Sequence, residues 1–166
     1  MAVIIAIPIF VGITILQSAI ISRIPLIQGT ADLILLTMIG WALQERVRSA
    51  WQWYIIGSII ASIASGLAVG TLMLAYGISV GFTLIIRQRV WKVPILAMFV
   101  ATIFGTLVTH GVTIISRWLS GAGLFLFEGF NLITLPSLIL NIFLAFPVYF
   151  ILRDLSRWIY PVEIEI

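Results

Sequence analysis

Between Trp53 and Ile86 the chain runs for 34 residues without a formal charge, and any fold it adopts has to accommodate that stretch. As one helix rising about 1.5 Å per residue it would be about 51 Å long, against a bilayer hydrocarbon core of about 30 Å. It has to break. Gly66–Leu67–Ala68–Val69–Gly70 holds the residue types that end helices, so two short spans are expected, 53–65 and 71–86.

The rest of the chain is of the same kind. It is 62% hydrophobic and 9% charged, with a mean hydropathy of +1.23, where a soluble domain is about a quarter charged. One small core cannot bury that much apolar surface, whereas lipid solvates it, and only helices or closed barrels cross lipid. Barrel strands alternate apolar and polar residues. Continuous runs such as Ile55–Ile63 and Leu138–Leu144 point to helices instead. The expected fold is an all-α integral membrane protein, a six-helix transmembrane bundle forming one domain over 1–166. Its spans fall at about 3–22, 31–44, 53–65, 71–86, 93–116 and 132–152. The segment at 31–44 has the shortest apolar core, Leu33–Ile39. The apolar N-terminus has no basic region or small-residue cleavage site, so it reads as a retained first span.

Charge orients the bundle. With six spans, Arg46, Arg48, Arg87, Arg89, Lys92, Arg153 and Arg157 share one side, seven of the nine basic residues. A five-span arrangement reaches six against three. Both termini are then expected in the cytoplasm, although Arg23 taken alone argues the reverse. Trp41, Trp51, Trp53, Trp91, Trp118 and Trp158 fall near expected helix ends, where indoles favour the headgroup level.

Small residues set the expected packing. Gly57, Ala61 and Ser65 recur every four residues, Ser58, Ser62 and Gly66 one position on, and Gly77-Ile-Ser-Val-Gly81 is a GxxxG. Such faces let backbones approach closely, within the chain or against a partner helix. Thr102, Thr106, Thr109, His110 and Thr113 lie on one helix face. This reads as a polar seam bonding to carbonyls and neighbours, or as the wall of a small-molecule or proton site.

Chemistry has little material to work with. There is one His and no Cys, so thiolate zinc sites, iron–sulfur clusters and disulfides are excluded, and no cofactor or metal is expected. The six acids are scattered. Asp32, after Gly29–Thr30 at a helix start, fits an N-cap, with a proton relay as the other reading. A serine–histidine pair could come only from Ser65–Gly66 and His110, without the usual oxyanion donors. No catalytic residue is assigned, and the net charge of +3 rests on too few residues to suggest nucleic acid.

The order of segments carries a resemblance. Ala31-Asp32-Leu33-Ile34-Leu35-Leu36 leads to Trp41-Ala42-Leu43, then Ser65-Gly66-Leu67-Ala68-Val69-Gly70, then Arg87-Gln88-Arg89. The chain closes with Leu135-Pro136-Ser137-Leu138-Ile139-Leu140-Asn141-Ile142-Phe143-Leu144-Ala145-Phe146-Pro147 and a basic end at Arg153 and Arg157. Over nearly its whole length this resembles the MreD family of rod shape-determining proteins. The closing span, with Pro136, Asn141 and Pro147, is the most distinctive part. One departure stands out: the family often carries an acid just before the Ser-Gly step, where this chain has Ile63 and Ala64.

The resemblance implies a non-enzymatic scaffold in the bacterial cytoplasmic membrane. It would bind the bitopic protein MreC, and link MreB filaments to a RodA-type peptidoglycan glycosyltransferase and its transpeptidase partner. In six-helix architecture the family is also similar to the substrate-binding subunits of energy-coupling-factor transporters, so the alternative is a small-molecule-binding transporter subunit. The near-uncharged segment Leu119–Phe130 and the tail Leu155–Ile166 are expected to meet the membrane interface or a partner.

Overall fold

Gly66 divides the long uncharged stretch. It takes the left-handed conformation, φ +65°, and caps the helix that ends at Ser65. That conformation carries a steric penalty for any residue with a Cβ, so glycine is the natural occupant. The computed structural model describes residues 2–19, 29–67, 69–89, 93–121 and 130–161. Among them the chain forms six α-helices and no β-strand: α1 Ala2–Ala19, α2 Leu33–Ala42, α3 Ala50–Ser65, α4 Val69–Arg89, α5 Pro94–Leu119 and α6 Leu135–Ile159. A π-helical turn, Phe130–Thr134, leads into α6.

Four of the helices are long and apolar enough to cross a membrane: α1, α4, α5 and α6 with the turn before it. The protein is therefore an α-helical, multi-pass membrane protein. Helix α3 covers 16 residues and α2 only 10. At about 1.5 Å per residue α2 is roughly 15 Å long, half the hydrocarbon thickness, so it does not cross alone over the 31–44 expected. All ten of its residues are buried. A helix apolar on every side is stable only when enclosed. The flanking helices do this: α6, α4, α3, α5 and α1 all pack on α2.

The other expected bounds shift less. Helix α3 begins at Ala50 and α4 runs to Arg89, so each outreaches its expected span toward the basic residues. Gly70 lies inside α4 and is exposed, with nothing within 4 Å of a Cβ placed there, so it belongs neither to the break nor to a packing face. Helix α6 continues to Ile159, well past the 152 expected, so residues 155–159 are helix rather than a separate tail. Most of the Leu119–Phe130 segment lies outside the described residues.

Two tryptophans correct the expected interfacial belt. Trp41 and Trp53 are fully buried and stacked, with ring centroids 3.9 Å apart and planes at 14°. Trp53 Nε1 donates to the Ala2 carbonyl at 2.9 Å and Trp41 Nε1 to Ser49 Oγ at 3.3 Å. A buried indole with its N–H satisfied contributes a large apolar area to the core. Trp51, Trp118 and Trp158 are exposed, and Trp91 is outside the described residues.

The helices alternate in direction. The start of α1 meets the start of α3 through Trp53 and Ala2, and the end of α4 meets the end of α2 through Arg87 and Ala42. The end of α6 meets the loop after α2, where Tyr160 Oη lies 3.2 Å from Ser49 Oγ. This end of the bundle carries Arg46, Arg48, Arg87, Arg89, Arg153 and Arg157. At the opposite end, Arg117 is the basic residue among those described.

Candidate functional site

The opposite end is where polar groups gather inside the bundle. Asp32 precedes α2, and its carboxylate accepts the Leu35 N–H at 2.9 Å through Oδ1. Its other oxygen accepts the Tyr76 hydroxyl of α4 at 2.8 Å. Its own N–H donates to Asn141 Oδ1 of α6 at 2.8 Å, and Asn141 Nδ2 donates to Thr106 Oγ1 of α5 at 2.9 Å. The Thr30 N–H donates to Ser137 Oγ at 3.0 Å, and the Leu33 N–H to Gln17 Oε1 of α1 at 3.0 Å. Orphan N–H groups at the start of a buried helix are costly without partners. Here side chains from α1 and α6, and from the residue before α2, supply partners for the N–H groups of the chain entering it.

Beside this network opens a cavity of about 300 Å³. Asp32, Tyr76, Gln17, Thr109, His110 and Arg117 are among the residues lining it. His110 Nδ1 lies 3.1 Å from Thr134 Oγ1, and no hydrogen bond joins it to Ser65 among the described residues. Ser65 Oγ instead donates to the Ser62 carbonyl and accepts the Leu67 N–H, both at 3.3 Å, so it closes the end of α3. Thr109 Oγ1 is buried without a hydrogen-bond partner, although its residue lines the cavity. A buried hydroxyl left unpaired costs about 1–3 kcal/mol, which a ligand or water accepting from it would recover.

The residues singled out in the sequence divide into four groups. Asp32, His110 and Asn141 come together at or beside the cavity, and Pro136, buried, packs where the chain enters α2. A Cβ on Gly29 would stand 2.6 Å from the Ser137 backbone nitrogen, so α6 and the approach to α2 touch backbone to backbone. Gly57 and Ala61 are buried, and a Cβ on Gly57 would lie 2.8 Å from the Phe10 ring, so this face packs on α1. Gly77 and Gly81 face α3 side chains, Tyr54 and Trp51, with would-be Cβ distances of 2.9 and 4.0 Å. Ser65 and Gly66 make the helix end. Gly70 and Pro147 are exposed, and Gly70 faces open space.

Tyr76 and Gln17 were not singled out, although both bond to the α2 entrance. Their spacing gives no signal: Tyr76 sits 44 residues from Asp32, and its neighbours in sequence are ordinary apolar ones. Of the threonine face, Thr102, Thr106 and Thr109 are buried, while His110 and Thr113 are half-buried at the cavity.

Fold and site thus define a multi-pass helical membrane protein whose bundle encloses a short helix, with a cavity at one end that Asp32, Tyr76 and His110 help to line. Comparison of the chain with protein-family models, curated proteins and solved structures gives no match.

Proposed function

We propose that the protein is a non-enzymatic membrane scaffold of the bacterial cell-elongation complex, of the kind the MreD resemblance implies. In this reading all six helices form the membrane domain, four spanning directly and α2 and α3 completing the bundle. Its basic end, with both termini, faces the cytoplasm by the positive-inside rule. The bundle would dock an MreC-like bitopic protein and a RodA-type synthase with its transpeptidase partner, and through them MreB filaments.

One observation supports this above the others. Two of the segments that carry the resemblance, Ala31–Leu36 and Leu135–Pro147, interlock: Asn141 bonds to the Asp32 backbone, and Ser137 to that of Thr30 just before it. The distinctive polar residues therefore serve the architecture, which leaves the apolar outer faces as the surfaces available to partner helices. Ile4, Ile7 and Ile15 of α1 and Ile59 and Ile63 of α3 are exposed on such faces. Tagged full-length protein purified from native membranes should bring down an MreC-like protein and elongation enzymes. A preparation free of them overturns the reading.

The cavity favours a second reading, a small-molecule-binding subunit of an energy-coupling-factor type transporter. Its volume is about 300 Å³, at the lower edge of the range of small-molecule pockets, and it offers a carboxylate, an imidazole, a phenol and an unpaired hydroxyl. Saturable binding of a vitamin-like ligand to purified protein, lost in His110→Ala, would support it; a panel without binding would remove it.

A further inference from the structure

A second pocket, of about 210 Å³, lies at the basic end between the end of α2, the start of α5 and the end of α6. Arg46, Arg87, Arg153 and Arg157 line it, against one acid, Glu45. Neither reading of the function above uses it.

The four guanidinium groups are not equivalent. Arg87 is held: its Nη1 donates to the carbonyls of Ala42, Gln44 and Val47 at 3.0, 3.1 and 3.3 Å, capping the end of α2. It contributes a fixed positive charge. Arg46 makes one long bond, 3.4 Å, to the Tyr160 carbonyl. Arg153 lies 4.6 Å over the Phe150 ring, and its Nε is 3.3 Å from the exposed carboxylate of Asp154. Among the described residues Arg157 has no ion pair or hydrogen bond. Three cations thus retain unused donors around one concavity.

Two further features agree in sign. Tyr149 is buried, 7% exposed, lines the pocket, and its hydroxyl has no hydrogen-bond partner among the described residues. Helix α5 begins at the pocket with Pro94, which brings the positive end of a 26-residue helix dipole to the same place. The guanidinium groups and the phenolic O–H can donate, and the helix dipole adds positive potential, a combination suited to an anion such as a phosphate.

We propose that this pocket binds the phosphate group of an anionic ligand, Arg46, Arg153, Arg157 and Tyr149 donating to its oxygens. A lipid headgroup and a free phosphate share that chemistry. Basic pockets between membrane helices on the cytoplasmic side are suited to anionic headgroups.

Full-length protein in phosphatidylcholine discs is titrated with fluorescent phosphatidylglycerol, and separately with inorganic phosphate by calorimetry. The expected result is saturable binding of one or both. Arg153→Gln/Arg157→Gln should weaken it by about tenfold or more, and Tyr149→Phe by about threefold. Arg48→Gln, exposed at the same end but outside the pocket, should bind as wild type. Phosphatidylglycerol alone binding identifies a headgroup site; phosphate binding with the same losses identifies a soluble anion. The proposal is overturned if neither ligand saturates, if the double variant binds as tightly as wild type, or if Arg48→Gln is equally impaired. Should the double variant not elute as folded protein, Arg157→Gln and Tyr149→Phe decide, and wild-type binding in both overturns the site.

Discussion

The two ends of the short buried helix α2 are secured by opposite means. At its start, Asp32, Asn141, Tyr76 and Gln17 form bonds among themselves or to the backbone; Asn141 and Tyr76 are buried, Asp32 and Gln17 half-buried. At its finish one cation, Arg87, reaches three carbonyls, with other arginines nearby and half open to the surroundings. The reason is polarity. A helix start presents N–H groups, which carboxylates and amide oxygens satisfy; a helix end presents carbonyls, which guanidinium groups satisfy. One end can therefore be an internal polar network, whereas the other can carry basic charge.

Removing the fully buried Asn141 amide from the network end should cost more than removing Arg87 from the other. Asn141→Leu removes an acceptor for the Asp32 N–H and a donor to Thr106, both with the amide fully buried. A loss of about 2–4 kcal/mol is expected, read as a lowered thermal midpoint in detergent. Gly57→Ala tests the α1–α3 contact, since its Cβ would meet the Phe10 ring at 2.8 Å; about 1–3 kcal/mol should be lost by the same measurement. Arg87→Gln at the other end removes up to three charge-assisted bonds from a half-buried group, so about 1–2 kcal/mol is expected. A larger loss there than in Asn141→Leu would reverse the comparison. Tyr76→Phe takes one bond from the Asp32 carboxylate and should lower stability by about 1 kcal/mol. Gly70→Ala, in open space on α4, should change the midpoint within about 0.5 kcal/mol, showing that not every glycine of the small-residue pattern packs.

How much of this was legible in the sequence differs between the ends as well. The basic end could be read from Arg87, Arg89, Arg153 and Arg157, because charges beside apolar runs mark where those runs stop. Asp32 could be read as a cap from its position before Leu33–Leu36, because capping is local. Its partners could not: Asn141 lies 109 residues away and Tyr76 lies 44. Nor could the sequence separate tryptophans at the bundle's rim from Trp41 and Trp53. All fall near helix ends, and which face of an end turns inward depends on the neighbouring helices.

The sequence by itself determined that the protein is helical and membrane-bound. Apolar runs of this length are solvated by lipid, where only helices or closed barrels keep their backbone satisfied, and continuous runs without alternation leave the helix. It also determined that the uncharged stretch 53–86 breaks, since no bilayer accommodates it as one helix, and that Gly66 is the kind of residue that allows the break. The tertiary structure alone decided that α2 is a short, enclosed helix. That outcome depends on five surrounding helices covering ten residues, and on Asp32, Asn141 and Arg87 meeting both of its ends. It also decided that polar side chains placed far apart in sequence meet around one cavity, while four arginines gather around another.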